Sequence, residues 1–377
     1  MRWLAMAEEA TVTTNDISTA TPEPGRKRGI RFNLEVRRDL STWQQAIFLG
    51  GSILVGLTIS GLILVWAGVP ADALFEEFVL LLLTDADNMR SVLFQAGPLI
   101  MVGLAAAVAF RVRFWNLGLE GQMIWGAIGA TFISLHPVGA NWLQLPLMIL
   151  FAAIAAMLWV LISAQLKLKL NVNEIISTLL LNYVALNFLL HLLYGPWRDP
   201  IDGFPHSENY QSFERLPDLV GGVNAALPLA LVAALIVWWL VRFSRFGFRM
   251  KFVQESPSVA AALGIPVAGV TLASVLLSGA LAGIAGFVVV SGQEGRLIQN
   301  FSHGYLFSGV LIAFLARNNP IAAILVAILV SMLFIAGGSL QVFYQIPFAM
   351  VQLIEAIIVI CVATSEFLIR HRIHIIR

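Results

Sequence analysis

The sequence predicts an all-α, polytopic membrane protein with about ten transmembrane helices. Composition is the first reason. Of the 377 residues, 59% are hydrophobic and 12% charged, and the mean hydropathy is +0.84; a soluble chain carries about twice that charged share. Spacing is the second. Apolar runs near the ~20 residues that cross a bilayer recur along most of the chain. Charge placement is the third. Lys and Arg gather at nearly every alternate break between the runs, as the positive-inside rule expects of a threaded chain.

The elements follow in order. Residues 1–43 hold no apolar core, so they do not read as a signal peptide; their Thr, Glu and Pro content predicts a disordered or amphipathic tail. Arg26, Lys27, Arg28, Arg31, Arg37 and Arg38 hold that tail in the cytoplasm. The membrane domain, 44–377, opens with the run 46–69. Asp72, Glu76, Glu77, Asp85 and Asp87 then mark an outer loop, with a short interfacial helix predicted over 74–83. Run 92–110 returns to Arg111 and Arg113, and 121–135 goes out. Run 146–166 comes back to Lys167 and Lys169, and 175–193 goes out. The longest polar connection, 194–223, carries Asp199, Asp202, Glu208, Glu214 and Asp218. Run 225–241 returns to Arg242, Arg245, Arg249 and Lys251, and 267–290 goes out. Run 305–315 is too short to cross alone, which predicts extension by its flanks or burial in protein. Arg317-Asn-Asn-Pro320 marks the next inner turn, 321–336 and 348–368 complete the set, and Arg370, His371, Arg372, His374 and Arg377 end inside. Both termini are therefore expected in the cytoplasm.

Between 225–241 and 267–290 lies a polar stretch with its own end signals. Ser256 suits a helix N-cap, Pro257 the first helical position, and Gly264 a left-handed closing residue; Pro266 forbids extension. Such a helix is roughly 10 Å long at 1.5 Å per residue, far short of a bilayer. It reads either as a plain loop or as a surface on which another protein can push.

Val253-Gln-Glu-Ser-Pro-Ser-Val-Ala-Ala-Ala-Leu-Gly-Ile265 resembles the coupling-helix segment of ATP-binding-cassette importer permeases of the ribose and nucleoside type. The resemblance extends from about Thr42 onward. Phe114-Trp-Asn-Leu-Gly-Leu-Glu-Gly-Gln122 is similar to the family's Phe-Asn-Ile-Gly-x-Glu-Gly-Gln signature, with Trp115 inserted. Asn171-Val-Asn-Glu-Ile-Ile-Ser-Thr-Leu-Leu-Leu-Asn-Tyr183 and Gly195-Pro-Trp-Arg198 resemble the nucleoside branch. The turn before Pro320 resembles Gly-Arg-Asn-Asn-Pro, with Ala316 in place of Gly.

The resemblance implies a permease with two inverted repeats in a bacterial cytoplasmic membrane. It implies a partner ATPase, a second permease subunit (a different chain or a second copy) and an extracytoplasmic solute-binding protein. It implies a coupling helix at about 254–264, with Gln254, Glu255, Ser256, Pro257, Ala261 and Gly264 meeting the ATPase. The solute would be a nucleoside or a related small polar molecule; a simple sugar, or an ion-coupled transporter, is the alternative. An ion-coupled carrier would want ionisable pairs in mid-membrane, and Glu120 and Glu174 are the candidates found.

Polar residues at membrane depth are candidates for the solute pathway: Asn116, Glu120, Gln122, Asn173, Glu174, Asn182 and Tyr183. Two bland roles compete with it, capping of a helix N-terminus for Glu120 and interhelical hydrogen bonding for the amides. Small residues mark packing faces: Gly279 and Gly283 with Ser278, Ala282 and Gly286, then Gly126 with Ala130, and Gly56 with Ser60. Gly118-Leu-Glu-Gly and Gly292-Gln-Glu-Gly form a weak internal echo on opposite expected sides. No P-loop, His-Glu-x-x-His or nucleophile elbow is present, so ATP and Mg are expected in the partner and no cofactor in this chain. Cys361 is the single cysteine, which excludes an intrachain disulfide and a Cys-built metal site. A net charge of +1 gives no bulk attraction to nucleic acid; lipid is the expected surround.

Overall fold

The computed structural model describes residues 31–36, 41–76, 80, 84–137, 139–201, 203–219, 223–302 and 304–376. Most of the predicted tail, and much of the predicted interfacial helix at 74–83, lie outside the described residues.

A strand, β1 (Arg31–Val36), precedes α1 (Thr42–Trp66), which Ser41 opens with a reciprocal capping box to Gln44. A single turn, α2 (Ala71–Phe75), follows Pro70. Asp85 caps α3 (Ala86–Phe110) through the Asp87 N–H at 3.0 Å. Next come α4 (Leu119–Leu135), α5 (Asn141–Leu170) and α6 (Glu174–Tyr194). Asn171, in the left-handed region, ends α5, and Asn173 caps α6, so two short polar residues make one tight reversal.

The second half holds α7 (Ala226–Phe243), α8 (Arg245–Glu255), α9 (Pro257–Ala262) and α10 (Val267–Val288). A π turn over Val289–Glu294 extends α10. Then follow α11 (Tyr305–Leu315), α12 (Pro320–Tyr344) and α13 (Phe348–Arg370). The strand β2 (His371–Ile376) pairs antiparallel with β1, Arg31 opposite Ile376. This ribbon was not expected from the sequence, and it brings the two ends of the described chain to the same end of the bundle.

All ten predicted runs are helical. Eight helices among the described residues are long and apolar enough to cross a membrane, so the chain is a multi-pass membrane protein. The other two, α4 and α11, have 17 and 11 residues. At 1.5 Å per residue α11 covers about 16 Å of a ~30 Å hydrocarbon core. Non-helical chain before it supplies the rest. Such backbone is tolerated at membrane depth only when protein satisfies it. Here Ser207 bonds both Leu297 backbone groups, Tyr210 N–H donates to Gly295 C=O and Leu216 N–H to Ser291 C=O. The long polar connection after α6 is thus a folded cap over the re-entrant chain.

Burial separates pillars from rim. The apolar window of α3 is 89% buried and that of α10 72%, against 17% for α1, whose exposed apolar face suits lipid. Small residues bring α4, α5 and α10 into backbone contact. A Cβ on Gly126 would strike the Gly283 backbone, one on Gly283 the Ala152 carbonyl, and one on Gly286 the Met123 carbonyl.

Candidate functional site

The polar stretch after α7 folds as two helices, of which only the second was expected. Ser244 opens α8, its hydroxyl accepting from Gly247 N–H at 3.0 Å. Ser256 opens α9, accepting from Val259 N–H at 3.4 Å, with Pro257 at the first position. Gly264 takes φ +78°, and the Ile265 N–H reaches back to Ala260 C=O at 3.0 Å, a closed left-handed cap. Glu255, Ser258, Ala261 and Gly264 are exposed, while Gln254, Ser256 and Pro257 are half-buried. On α9 the apolar side chains of Val259 and Leu263, four residues apart, are 55% and 62% exposed, and Ala260 is the face that packs inward.

One residue ties this segment to the bundle. Arg113, at positive φ just past α3, donates to Gln254 C=O and Glu255 C=O, both at 2.8 Å. Those carbonyls end α8, where a cation meets orphan acceptors and the negative end of the helix dipole. Its neighbour Arg111 makes the same kind of clamp on the next turn, donating twice to Asn318 C=O at 3.0 and 2.8 Å. Burial pulls the Arg111 guanidinium below its ordinary value. In that turn Arg317 and Asn318 hold positive φ while Ala316 sits at φ −75°, so the family's Gly has no conformational duty here.

Behind Arg113 the chain turns back into the bundle and forms a polar knot. Asn116 is fully buried; its amide donates to Gln122 Oε1 and Ser278 Oγ, both at 3.0 Å, and accepts from Gln122 Nε2 at 2.8 Å and Gly118 N–H at 3.1 Å. Ser278 Oγ in turn donates to Ala105 C=O at 2.7 Å. From α6, Asn182 accepts from Gly121 N–H at 2.9 Å and donates to Leu117 C=O at 2.8 Å, while Thr178 Oγ1 accepts from Leu117 N–H at 3.2 Å. The amides predicted to face solute are spent on holding a re-entrant turn open.

The remaining predicted residues separate. Glu120, half-buried, lies against the Gly304 backbone N–H, at the start of α11. It acts as a helix-end cap, but of a different helix from its own, and it brings the two re-entrant turns together. Asn173 caps α6 by accepting from Ile175 N–H at 2.9 Å, and Glu174 pairs with Lys167 at 2.7 Å. Tyr183 points outward, 66% exposed. It shares the exposed stripe of α6 with Asn187 and His191.

Sequence reading missed three participants. Arg113 was counted only for its charge, and Ser278 only as a small packing residue. Glu355, buried on α13, sits with both carboxylate oxygens 2.9–3.0 Å from Ser308 Oγ. A lone acid inside an apolar run was the available signal.

A family described as "Branched-chain amino acid transport system / permease component" matches residues 88–363. A Haloferax volcanii protein named "Glucose ABC transporter permease protein TsgB13" is 33% identical over 92% of this chain and 94% of its own length. The "Guanosine ABC transporter permease protein NupP" of Bacillus subtilis is 28% identical over 83% of this chain and 92% of its own. The "Nucleoside ABC transporter permease protein NupC" of Lactococcus lactis is 29% identical over 73% and 90%.

Proposed function

This chain belongs to the branched-chain amino acid transport system / permease component family, and we propose that it works as the membrane subunit of an ATP-driven importer of nucleosides or related small polar solutes. ATP and Mg are bound by a separate ATPase subunit. A second permease subunit and an extracytoplasmic solute-binding protein complete the assembly, in a bacterial cytoplasmic membrane with both termini inside.

The observation that carries this reading is the α8–α9 segment. It stands at the basic end of the bundle, capped at both ends and clamped by Arg113, with Val259 and Leu263 uncovered. A groove in the ATPase would cover those two side chains. Motion of the segment would pull on Arg113, and through it on the turn that Asn116, Gln122 and Asn182 hold. That route favours alternating access driven from the basic end. Polar groups of Tyr183, Asn187 and His191 on an exposed membrane helix favour a protein neighbour over lipid, which suits a second permease subunit. A sugar as solute is the second reading, favoured by the 33% identical relative named for glucose.

Proteoliposomes holding the complete assembly test the proposal. Guanosine uptake should require ATP, stop with vanadate and persist when the proton gradient is collapsed. Uptake that follows the gradient with ATP hydrolysis blocked would identify an ion-coupled carrier instead.

A further inference from the structure

The proposed coupling surface on α9 leaves the outward face of α8 uncovered. On α8 the buried residues are Gly247, Met250 and Val253. A Cβ on Gly247 would strike the Val241 and Leu240 carbonyls, so the first turn of α8 lies against the last turn of α7. The opposite face carries Phe248, 64% exposed, and Phe252 one turn on, their rings edge to face with centroids 4.9 Å apart. Helix positions advance by about 100° per residue. That spacing sets exposed Arg245 and Arg249 on one flank of the aromatic stripe and exposed Lys251 on the other. None of the three cations has an acidic partner among the described residues, where the ion pairs are Arg90–Asp87 and Lys167–Glu174. Glu255, the single acid of α8, stands at its last position, beside α9. Depth is set by α7. In its last two turns Trp238, Trp239 and Phe243 are 37%, 57% and 63% exposed, an aromatic belt of the kind that marks a membrane–water boundary. Through Ser244 that belt leads directly into α8, which stays against the same end of the bundle.

We propose that the outward face of α8 is a binding surface for anionic phospholipid in the leaflet at the basic end. Phe248 and Phe252 enter the acyl boundary, and Arg245, Arg249 and Lys251 meet headgroup phosphates. Water gives a bare phenylalanine pair no favourable contact, and hydrocarbon gives three unpaired cations none; the headgroup boundary satisfies both. Each Arg fork takes two phosphate oxygens, and Lys251 adds a compact charge. A zwitterionic headgroup carries its own cation, which offsets part of this attraction, so the surface selects anionic lipid. Each basic residue near an anionic surface strengthens attachment about fivefold. The attachment bears on α9 because the two helices meet at Ser256, which ends α8 and caps α9. Lipid that holds α8 gives α9 a fixed footing, whichever solute is carried.

The test uses the assembled transporter in phosphatidylcholine nanodiscs that carry a trace of diazirine-bearing lipid, either phosphatidylglycerol or phosphatidylcholine at equal mole fraction. After irradiation of the wild-type protein, phosphatidylglycerol should label the segment Arg245–Glu255 about fivefold or more over phosphatidylcholine. Added salt should lower that ratio. Arg245→Gln, Arg249→Gln and Lys251→Gln combined should bring it close to one, and Phe248→Ser should weaken labelling by both lipids. Equal labelling of the wild-type segment by the two lipids would overturn the anionic preference. A ratio that survives the triple substitution would overturn the role of the cations. Absence of lipid label from this segment, with Phe248→Cys in a Cys361→Ala background crosslinking to the ATPase, would give the face to that subunit and overturn the proposal.

Discussion

Asn182 is bonded through both halves of its amide, to Gly121 N–H and Leu117 C=O, and its residue is buried. Asn182→Leu should therefore cost on the order of 2 kcal/mol or more, since each stranded buried group costs about 1–3 kcal/mol. The expected result is a lowered melting temperature in detergent and uptake lost in proportion to folded protein. Wild-type stability with a raised KM would instead place Asn182 against solute. Arg113 works at the other end of the same turn. Arg113→Lys keeps the charge but loses the planar fork that spans two carbonyls. Uptake should fall about five- to tenfold while basal ATP hydrolysis stays, and unchanged uptake would show that the clamp transmits nothing. At this scale sequence reading found the polar residues and left two duties open for the amides, solute contact and interhelical hydrogen bonding, without naming their partners. An amide facing solute and an amide bonded to backbone look the same in one dimension, and the partners of Asn116, Gln122 and Asn182 lie up to 162 residues away.

The α9 helix is the element on which the proposed coupling depends, and its conformation rests on local chemistry. Gly264 holds φ +78° with open space around it, so a side chain there meets strain rather than a clash. Gly264→Val should cost about 1–3 kcal/mol in the closing turn, and Glu255→Arg should reverse the charge of an exposed contact. Both variants should insert normally yet lower transport, with ATP hydrolysis no longer answering to loaded binding protein. Wild-type stimulation in both would make the segment a plain loop. The packing of α4 against α10 tests a different property. Gly126→Leu places a side chain where the Gly283 backbone stands, and the expected outcome is failure to accumulate folded protein, read by fluorescence-detected chromatography. Caps and small-residue faces were legible because Ser256, Pro257, Gly264 and the glycines carry their own signals. The helix α8 was not, because its basic face reads as loop, and Arg113 supplies the long-range cap that ends it.

Across the whole molecule, charge and hydropathy foretold ten helical segments, and the doubtful one, 305–315, proved too short for a reason the sequence hinted at. Its missing length is the re-entrant chain under the cap, and the ordering of that chain depends on Ser207, Tyr210 and Leu216 from a distant connection. The β1–β2 ribbon left no periodic signal, since both strands lie in short basic stretches. Even so, the ribbon agrees with an even number of crossings. The central claim is that the end bearing α8 and α9 meets the ATPase. In a Cys361→Ala background, Ser258→Cys on exposed α9 and Glu208→Cys on the exposed opposite loop supply single thiols. A short thiol-to-amine crosslinker is applied to the transport-competent assembly. Position 258 should be captured by the ATPase and resist impermeant reagents from outside, while position 208 labels from outside and never joins the ATPase. Capture of position 208 by the ATPase, with none at 258, would contradict the account.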